Sequence, residues 1–357
     1  MLNESVSKTI VFVDSGAQKG HSPDDLSFIF LAQMLQQVGH KVVLIAPNES
    51  RRANAFREIG CTTREFHNAY NYNPLAISHF QSYFRGLRVD VVVIKTIKDL
   101  STAGIAARLA GVKKILFQPA YPALLQKFKH KMLLPFFDFL IASSEHEATY
   151  YQALNWHLES CLHIVPHGLD LSRISERKLP AKRWHPVQIV GVGQLNEMED
   201  VSDCLAVIGL LQKDWALKAH LIGDGSAKEL IEKNSHDLQL NVTIHTEFEI
   251  QSRLRKADIF LSTSTKYGID EACVLAMAEG IPVICIDNGI HHELIDHGVD
   301  GFVFEPGTIY EMTECIAFLL HDITKYNAVS KAAQKKAREI FDGHKMVTAF
   351  KAIIDAY

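Results

Sequence analysis

The sequence predicts an α/β fold built from two sequential parallel-sheet halves, and three observations carry this. Short aliphatic, β-branched runs alternate with longer segments of helical periodicity in both halves of the 357 residues. A charged, proline-bearing stretch at 172–185 separates one such series from the next. Residues 257–307 then spell out strand, glycine loop, helix and strand, the grammar of a parallel sheet. In that stretch residues 258–262 read as a buried strand, 268–271 as a tight loop, 271–278 as a helix stopped by Gly280, and 282–286 as the next strand. A glycine loop opening a helix leaves backbone N–H groups pointing outward, which suits an anion such as phosphate. A plain βαβ unit with good turns explains the same local pattern.

The other elements follow in order. Residues 9–13 form a β-rich run ending in Asp14-Ser15-Gly16. Residues 24–38 place Leu26, Phe30, Leu31, Met34, Leu35 and Val38 at helical spacing, Gly39-His40 ends them, and 41–46 is the next strand. Strands are expected at 90–94, 114–117 and 139–142, with a helix at 102–110 stopped by Gly111 and a helix start in Ser143-Ser144-Glu145. A short strand at 162–165 leads into Pro166-His167-Gly168. The second series has strands at 187–192, 218–222 and 242–245, a helix near 201–211, and Gly223-Asp224-Gly225 after its second strand. The chain ends in helices whose last segment carries Met346, Val347, Phe350, Ile353 and Ile354. The expected domains are 1–180, joined by a terminal helix at 340–357, and 185–335. Two Rossmann-like halves imply a cleft, with ligands at the carboxyl ends of the strands.

Composition narrows the function classes. With 47 % hydrophobic residues the chain can bury a large core, and a net charge of −4 gives no basic field for nucleic acid. Cys61, Cys161, Cys204, Cys273, Cys285 and Cys315 are scattered without a CxxC pair, so buried thiols in a reducing compartment are expected. The first residues lack a basic region followed by an apolar core, and no leader is expected. The longest apolar candidate, 132–142, is too short to span a bilayer and contains Asp138. A cytoplasmic location follows as an expectation.

Five segments then carry a family resemblance: IVPHGLD (164–170), LIGDG (221–225), RKADIFLSTS (255–264), AMAEGIPVI (276–284) and HELIDHGVDGFVF (292–304). With them the chain resembles the retaining glycosyltransferases of family 4, group 1, over nearly its whole length. The resemblance implies the GT-B fold: two facing Rossmann-like domains, an acceptor side in the first, a donor side in the second, and a last helix crossing back onto the first. It implies transfer of a sugar from an activated nucleotide donor to a glycan, lipid-linked or protein acceptor, in polysaccharide or glycoconjugate synthesis. No metal or other cofactor is expected. The donor side carries over to Gly193, Gln194, Gly223, Gly225, Lys266, Tyr267, Gly268, Ile269, Asp270, Glu271 and Glu293, and the acceptor side to Gly16, Gln18 and Gln118.

The sequence departs from the family where chemistry is expected, so no catalytic residue is assigned. The family's two donor glutamates fall at Tyr267 and Leu275, and its Arg and Lys on the donor diphosphate fall at Gln194 and Glu199. Glu271 and Glu279 have the glutamate spacing, but one helical turn downstream. Capping explains Asp270, and helix capping serves Glu293 as well as ligand binding does. Lys266 is the nearby cation left to meet a diphosphate. These changes keep a second reading open, an inactive GT-B chain that acts as a binding or partner subunit for another transferase. Lys113, Lys114, Lys127, Lys129 and Lys131 interleave with Phe117, Leu124, Leu125, Phe128, Leu133 and Leu134. Residues 113–134 are therefore expected either to touch an anionic membrane face or to form a solvated helix face.

Overall fold

The structure is a computed structural model describing residues 7–15, 25–48, 50–65, 73–119, 128–154, 156–172, 174, 186–193, 195–196, 198–246, 249–265 and 271–356. It divides into two compact units, Met1–Asp170 with Gly343–Tyr357, and Leu171–Asp342.

The first unit is a parallel sheet of β1 (Thr9–Val13), β2 (Lys41–Ile45), β3 (Thr62–Arg64), β4 (Val91–Ile94), β5 (Lys114–Phe117), β6 (Phe139–Ala142) and β7 (Leu162–Ile164). Their order is β3-β2-β1-β4-β5-β6-β7. Helices cover both faces, which is why β4 reads Val-Val-Val-Ile with every residue buried. Alternation along β1 serves the two cores: Val11 and Val13 face one with Phe80, Phe84, Phe117 and Tyr151, and Ile10 and Phe12 face the other with Leu35, Phe56 and Phe350.

Phe350 belongs to the terminal helix Gly343–Asp355, whose Met346, Val347, Ile353 and Ile354 enter the same core. Its ring stacks on Phe12 with centroids 6.4 Å apart. Gly343 opens this helix because a Cβ there would lie 2.2 Å from the Phe30 ring. Lys114 Nζ donates to the carbonyls of Ile353 (2.9 Å) and Ile354 (3.0 Å) and to Ala356 O, and Lys8 Nζ to Ile354 O at 2.8 Å. Two ammonium groups thus meet carbonyls that a helix C-terminus leaves unpaired.

This corrects the reading of 113–134 as one basic-apolar face. Lys114 and Phe117 are buried in β5 and Leu133 is buried, while Lys113 and Met132 are exposed. Residues 128–136 form a 3₁₀ helix, Phe128–Phe136, and 120–127 lie outside the described residues. The helix expected at 102–110 also differs. It begins at Ile97 under a Thr96 cap, passes through a π turn at Leu100–Gly104 and continues as Ile105–Ala110.

The second unit orders β8 (Val187–Val192), β9 (Leu217–Ile222), β10 (Val242–His245), β11 (Ile259–Ser262), β12 (Val283–Ile286) and β13 (Phe302–Phe304) as β10-β9-β8-β11-β12-β13. The helix Glu271–Ala278 is buried along all eight residues, which explains its uniformly small and apolar composition. The helix Ile323–Ile340 closes its far end, with Gln334 Nε2 donating to Ala278 O (2.9 Å) and Ser330 Oγ to Gly280 O. All six cysteines are free thiols, four of them buried. Burial pushes Cys204 up to about 12, so that thiol stays protonated and unreactive. Among the described residues no helix is long and apolar enough to cross a membrane.

Candidate functional site

In each sheet the chain reverses its direction of strand addition once, between β1 and β4 in the first unit and between β8 and β11 in the second. The carboxyl ends of such strand pairs splay apart and form a crevice.

At β8/β11 a small cavity is lined by Gly191, Gly193, Leu195, Cys204, Thr263 and Ser264, among others. Two glycines let the next loop pack against Gly193 and Leu195 of that lining. A Cβ on Gly223 would sit 1.9 Å from Gly193 O, and one on Gly225 would sit 2.2 Å from the Leu195 carbonyl carbon. Only bare backbone lets the loop after β9 press against the loop after β8. Leu195 N–H then donates to Asp224 O (3.1 Å) and Ala227 N–H to Leu195 O (2.8 Å), clamping the two loops. Gly223 and Gly225 therefore shape the site through backbone contact. Gln194 and residues 266–270 (Lys266, Tyr267, Gly268, Ile269 and Asp270) lie outside the described residues, as does the side chain of Glu199.

Glu271 is the first residue of the buried helix and is itself buried. Glu279 lies eight positions on, about 12 Å along the axis at 1.5 Å per residue, with Arg255 Nε at 3.8 Å from its carboxylate. The two carboxylates that share the family's spacing thus lie at the start of the helix and just past its end. Leu275 is packed in the core.

The loop after β12 is held by its own polar groups. Asn288 Oδ1 accepts from the N–H of Ile290 (3.0 Å) and of His291 (3.2 Å), and the His291 ring lies 2.5 Å through Nδ1 from Ile286 O. That carbonyl can only accept, so Nδ1 carries the proton and Nε2 faces Cys273 Sγ at 4.0 Å. Glu293 follows in an exposed position on the short helix His291–Leu294. Asp287, His292 and Glu305 bring one ligand atom each within 4.8 Å of one another, with His292 and Glu305 exposed.

At β1/β4 the first unit gathers groups that sequence reasoning passed over. Asp14 pairs with Arg52, both buried. The Arg52 guanidinium and Lys95 Nζ lie 4.9 and 5.0 Å from the centroid of the Phe28 ring. Asp99 Oδ2 accepts from Ser15 N–H (2.9 Å) and Thr96 Oγ1 (2.8 Å). Gln118 sits beside them, half-buried, its N–H on Ile94 O at 2.9 Å. His167 Nδ1 approaches Ser27 Oγ at 3.3 Å. Gly16 and Gln18 lie outside the described residues. The signal for this cluster was present, since Asp14 and Lys95 directly follow apolar strands and Thr96 ties Asp99 beside Lys95, but nothing local brings Arg52 to them.

Comparison with known proteins matches residues 186–322 to the family model for glycosyl transferases group 1 and residues 27–173 to that for glycosyltransferase family 4. The two matches cover β2–β7 of the first sheet and all of the second, β8–β13. The chain belongs to the group 1 glycosyltransferase family. Among curated proteins it is 23 % identical over 169 residues to N-acetyl-alpha-D-glucosaminyl L-malate synthase of Bacillus anthracis, which is 46 % of this chain and 44 % of that protein. It is 26 % identical over 179 residues to the amylovoran biosynthesis glycosyltransferase AmsK of Erwinia amylovora, 47 % of this chain and 44 % of that one. These matches span less than half the length of the curated relatives. Among solved structures, Anabaena HepE in complex with UDP and glucose superposes with a TM-score of 0.78 at 18 % identity, covering 98 % of this chain and 99 % of that one. TarM superposes with a TM-score of 0.75 at 10 % identity, covering 99 % and 100 %. This group 1 glycosyltransferase therefore has the GT-B fold of two Rossmann-like domains.

Proposed function

We propose that this protein transfers a sugar from a nucleotide-activated donor to a carbohydrate-bearing acceptor, with retention, in the assembly of a polysaccharide or glycoconjugate. The observation that carries the reading is the pair of family matches, one in each unit. The relatives support it: HepE is described in complex with UDP and glucose, and AmsK by its part in amylovoran biosynthesis.

In this reading the donor occupies the β8/β11 crevice. Its diphosphate meets the backbone at Gly193 and the loop before Glu271, with Gln194, Lys266, Tyr267, Gly268, Ile269, Asp270 and Glu293 around it. The protein's contribution is orientation and electrostatic support of a cation-like transition state, without a metal or resident cofactor. The acceptor lies on the first unit near Gly16, Gln18 and Gln118. The transferase names of the relatives weigh against an inactive partner subunit. Peripheral contact with an anionic membrane, through Lys113, Lys131 and the exposed Met132, is the remaining part of the proposal.

The test is nucleoside-diphosphate release from a panel of UDP- and GDP-sugars, with and without sugar acceptors. Acceptor-stimulated release from one donor supports transfer, and its absence from every donor removes the reading. Co-sedimentation with vesicles of anionic lipid checks the membrane part. Binding indifferent to salt and to Lys131→Glu removes it.

A further inference from the structure

The ends of β12 and β13 place two carboxylates side by side. Ile286 and Phe304 are register partners in these parallel strands, and Asp287 N–H donates to Phe304 O at 2.7 Å, so Asp287 and Glu305 leave the sheet together. Adjacent strands lie about 4.8 Å apart. The loop after β12 then delivers an imidazole to the same spot. Asn288 Oδ1 accepts from the N–H groups of Ile290 and His291, the His291 ring is tied to Ile286 O, and His292 follows on the short helix His291–Leu294. Asp287, His292 and Glu305 thus each bring a ligand atom to one place, all within 4.8 Å of one another. Asp287 divides its carboxylate between two tasks. Oδ1 accepts from Gly289 N–H at 3.0 Å, and Oδ2 stands 3.5 Å from His292 Nε2. Among the described residues no lysine or arginine pairs with either carboxylate. Two like charges this close repel, and a cation between them relieves the repulsion.

We propose that Asp287, His292 and Glu305 bind a divalent transition-metal ion of the zinc class. The spacing fits such an ion. Ligand atoms around a tetrahedral centre with bonds near 2.1 Å lie about 3.4 Å apart, and Asp287 Oδ2 and His292 Nε2 already stand 3.5 Å apart. Glu305 is exposed, so a change of rotamer brings its carboxylate in the rest of the way. The donor set selects the metal. One imidazole nitrogen with two carboxylate oxygens suits Zn²⁺. Ca²⁺ takes roughly six to eight oxygens, and Mg²⁺ requires a near-ideal octahedron of them. Water completes the coordination on the open side, where His292 and Glu305 are exposed. The ion joins the ends of two strands to the helix that carries Glu293. It holds that segment in place and takes no part in breaking a donor bond. The assignment stands whether or not the chain transfers sugar.

The test titrates the full chain, stripped with EDTA and dialysed, with ZnCl₂ by calorimetry and with CoCl₂ by absorption, with MgCl₂ as the counter-probe. The wild type should bind a zinc ion that His292→Ala and Glu305→Gln each weaken by roughly tenfold or more, since even a lost supporting partner costs a metal site that much. Both substitutions are at exposed positions and leave the core as it is. Zn²⁺ should raise the unfolding temperature of the wild type more than that of either variant, and Mg²⁺ should raise none of them. Co²⁺ in the site should show visible d–d bands without the near-ultraviolet band of a thiolate ligand, which separates it from metal held by the free cysteines. In crystals soaked with zinc, an anomalous difference peak should lie among Asp287, His292 and Glu305, a readout that needs no variant. Absence of binding to the wild type would mean that protonated His292 itself meets the two carboxylates, and overturns the proposal. Equal binding by the wild type and both variants, a thiolate band, or displacement of zinc by an equal concentration of Mg²⁺ overturns it as well.

Discussion

Burial makes the Asp99 carboxyl hard to ionise. Its pKa is raised from 3.8 to about 6, chiefly by burial and further by the Asp14 charge, against the hydrogen bonds from Ser15 and Thr96. A carboxyl whose pKa is higher folded than unfolded binds its proton more tightly in the native state. Its favourable contribution is complete below about pH 4 and is lost as pH rises through about 6. Asp99→Asn removes the ionisation and can keep the bonds to Ser15 and Thr96. It should therefore be more stable than wild type at pH 7.5, by at most about 3 kcal/mol at 1.36 kcal/mol per pKa unit, and should match it near pH 4. Urea denaturation at the two pH values checks this, and a variant less stable at pH 7.5 contradicts it. On the donor side, the resemblance places Gln194 and Glu199 where the family has cations, and Leu275 is packed in the core. Each lost charged hydrogen bond to a phosphate costs about 1.5–3 kcal/mol, so two weaken a donor by roughly two to four decades. Calorimetry should find millimolar affinity for UDP-glucose and GDP-mannose. Micromolar binding abolished by Lys266→Ala would mean that this lysine has taken over the phosphate contact.

The terminal helix shows how one element depends on a distant side chain. Lys114, in β5, reaches three carbonyls at the end of Gly343–Asp355. Lys114→Met keeps much of the buried stem and removes the donors, leaving Lys8 to hold only the Ile354 carbonyl. A loss of about 1–3 kcal/mol is expected, with faster amide exchange across 343–355 and little change in β8–β13. Unaltered exchange in that helix would show that Lys8 alone suffices. The same pair explains what the sequence could and could not reveal at this scale. Strands such as Val91–Ile94 were legible because a strand buried on both faces must be apolar throughout. Lys114 read as a surface lysine because its partners lie more than two hundred positions away. The π turn at Leu100–Gly104 left no period to detect, and the Asp14–Arg52–Lys95–Asp99 cluster is assembled by the fold from three separate segments. The glycines of 223–225 were legible as special, but their reason, the press of Gly193 and Leu195 against them, needed coordinates.

At the scale of the whole molecule, the chain leaves its first unit at Asp170 and returns to it at Gly343. The unit that contains β1–β7 is thus completed by the last residues of the chain. Their apolar face fills the core around Ile10, Phe12, Val42 and Leu44, and Phe350 is its largest fully buried side chain. Phe350→Ala removes a ring stacked on Phe12, and a buried Phe-to-Ala change typically costs about 3–5 kcal/mol. If the units are separate cooperative bodies, the loss falls on one of them. Amide protection should drop in β1, β2 and β4, while β8, β9 and β11 keep theirs. Donor binding at the β8/β11 crevice should survive the substitution, and transfer to an acceptor held by the first unit should fall. Native-state hydrogen exchange separates the outcomes: an equal loss of protection in both sheets would mean that the two units unfold as one body.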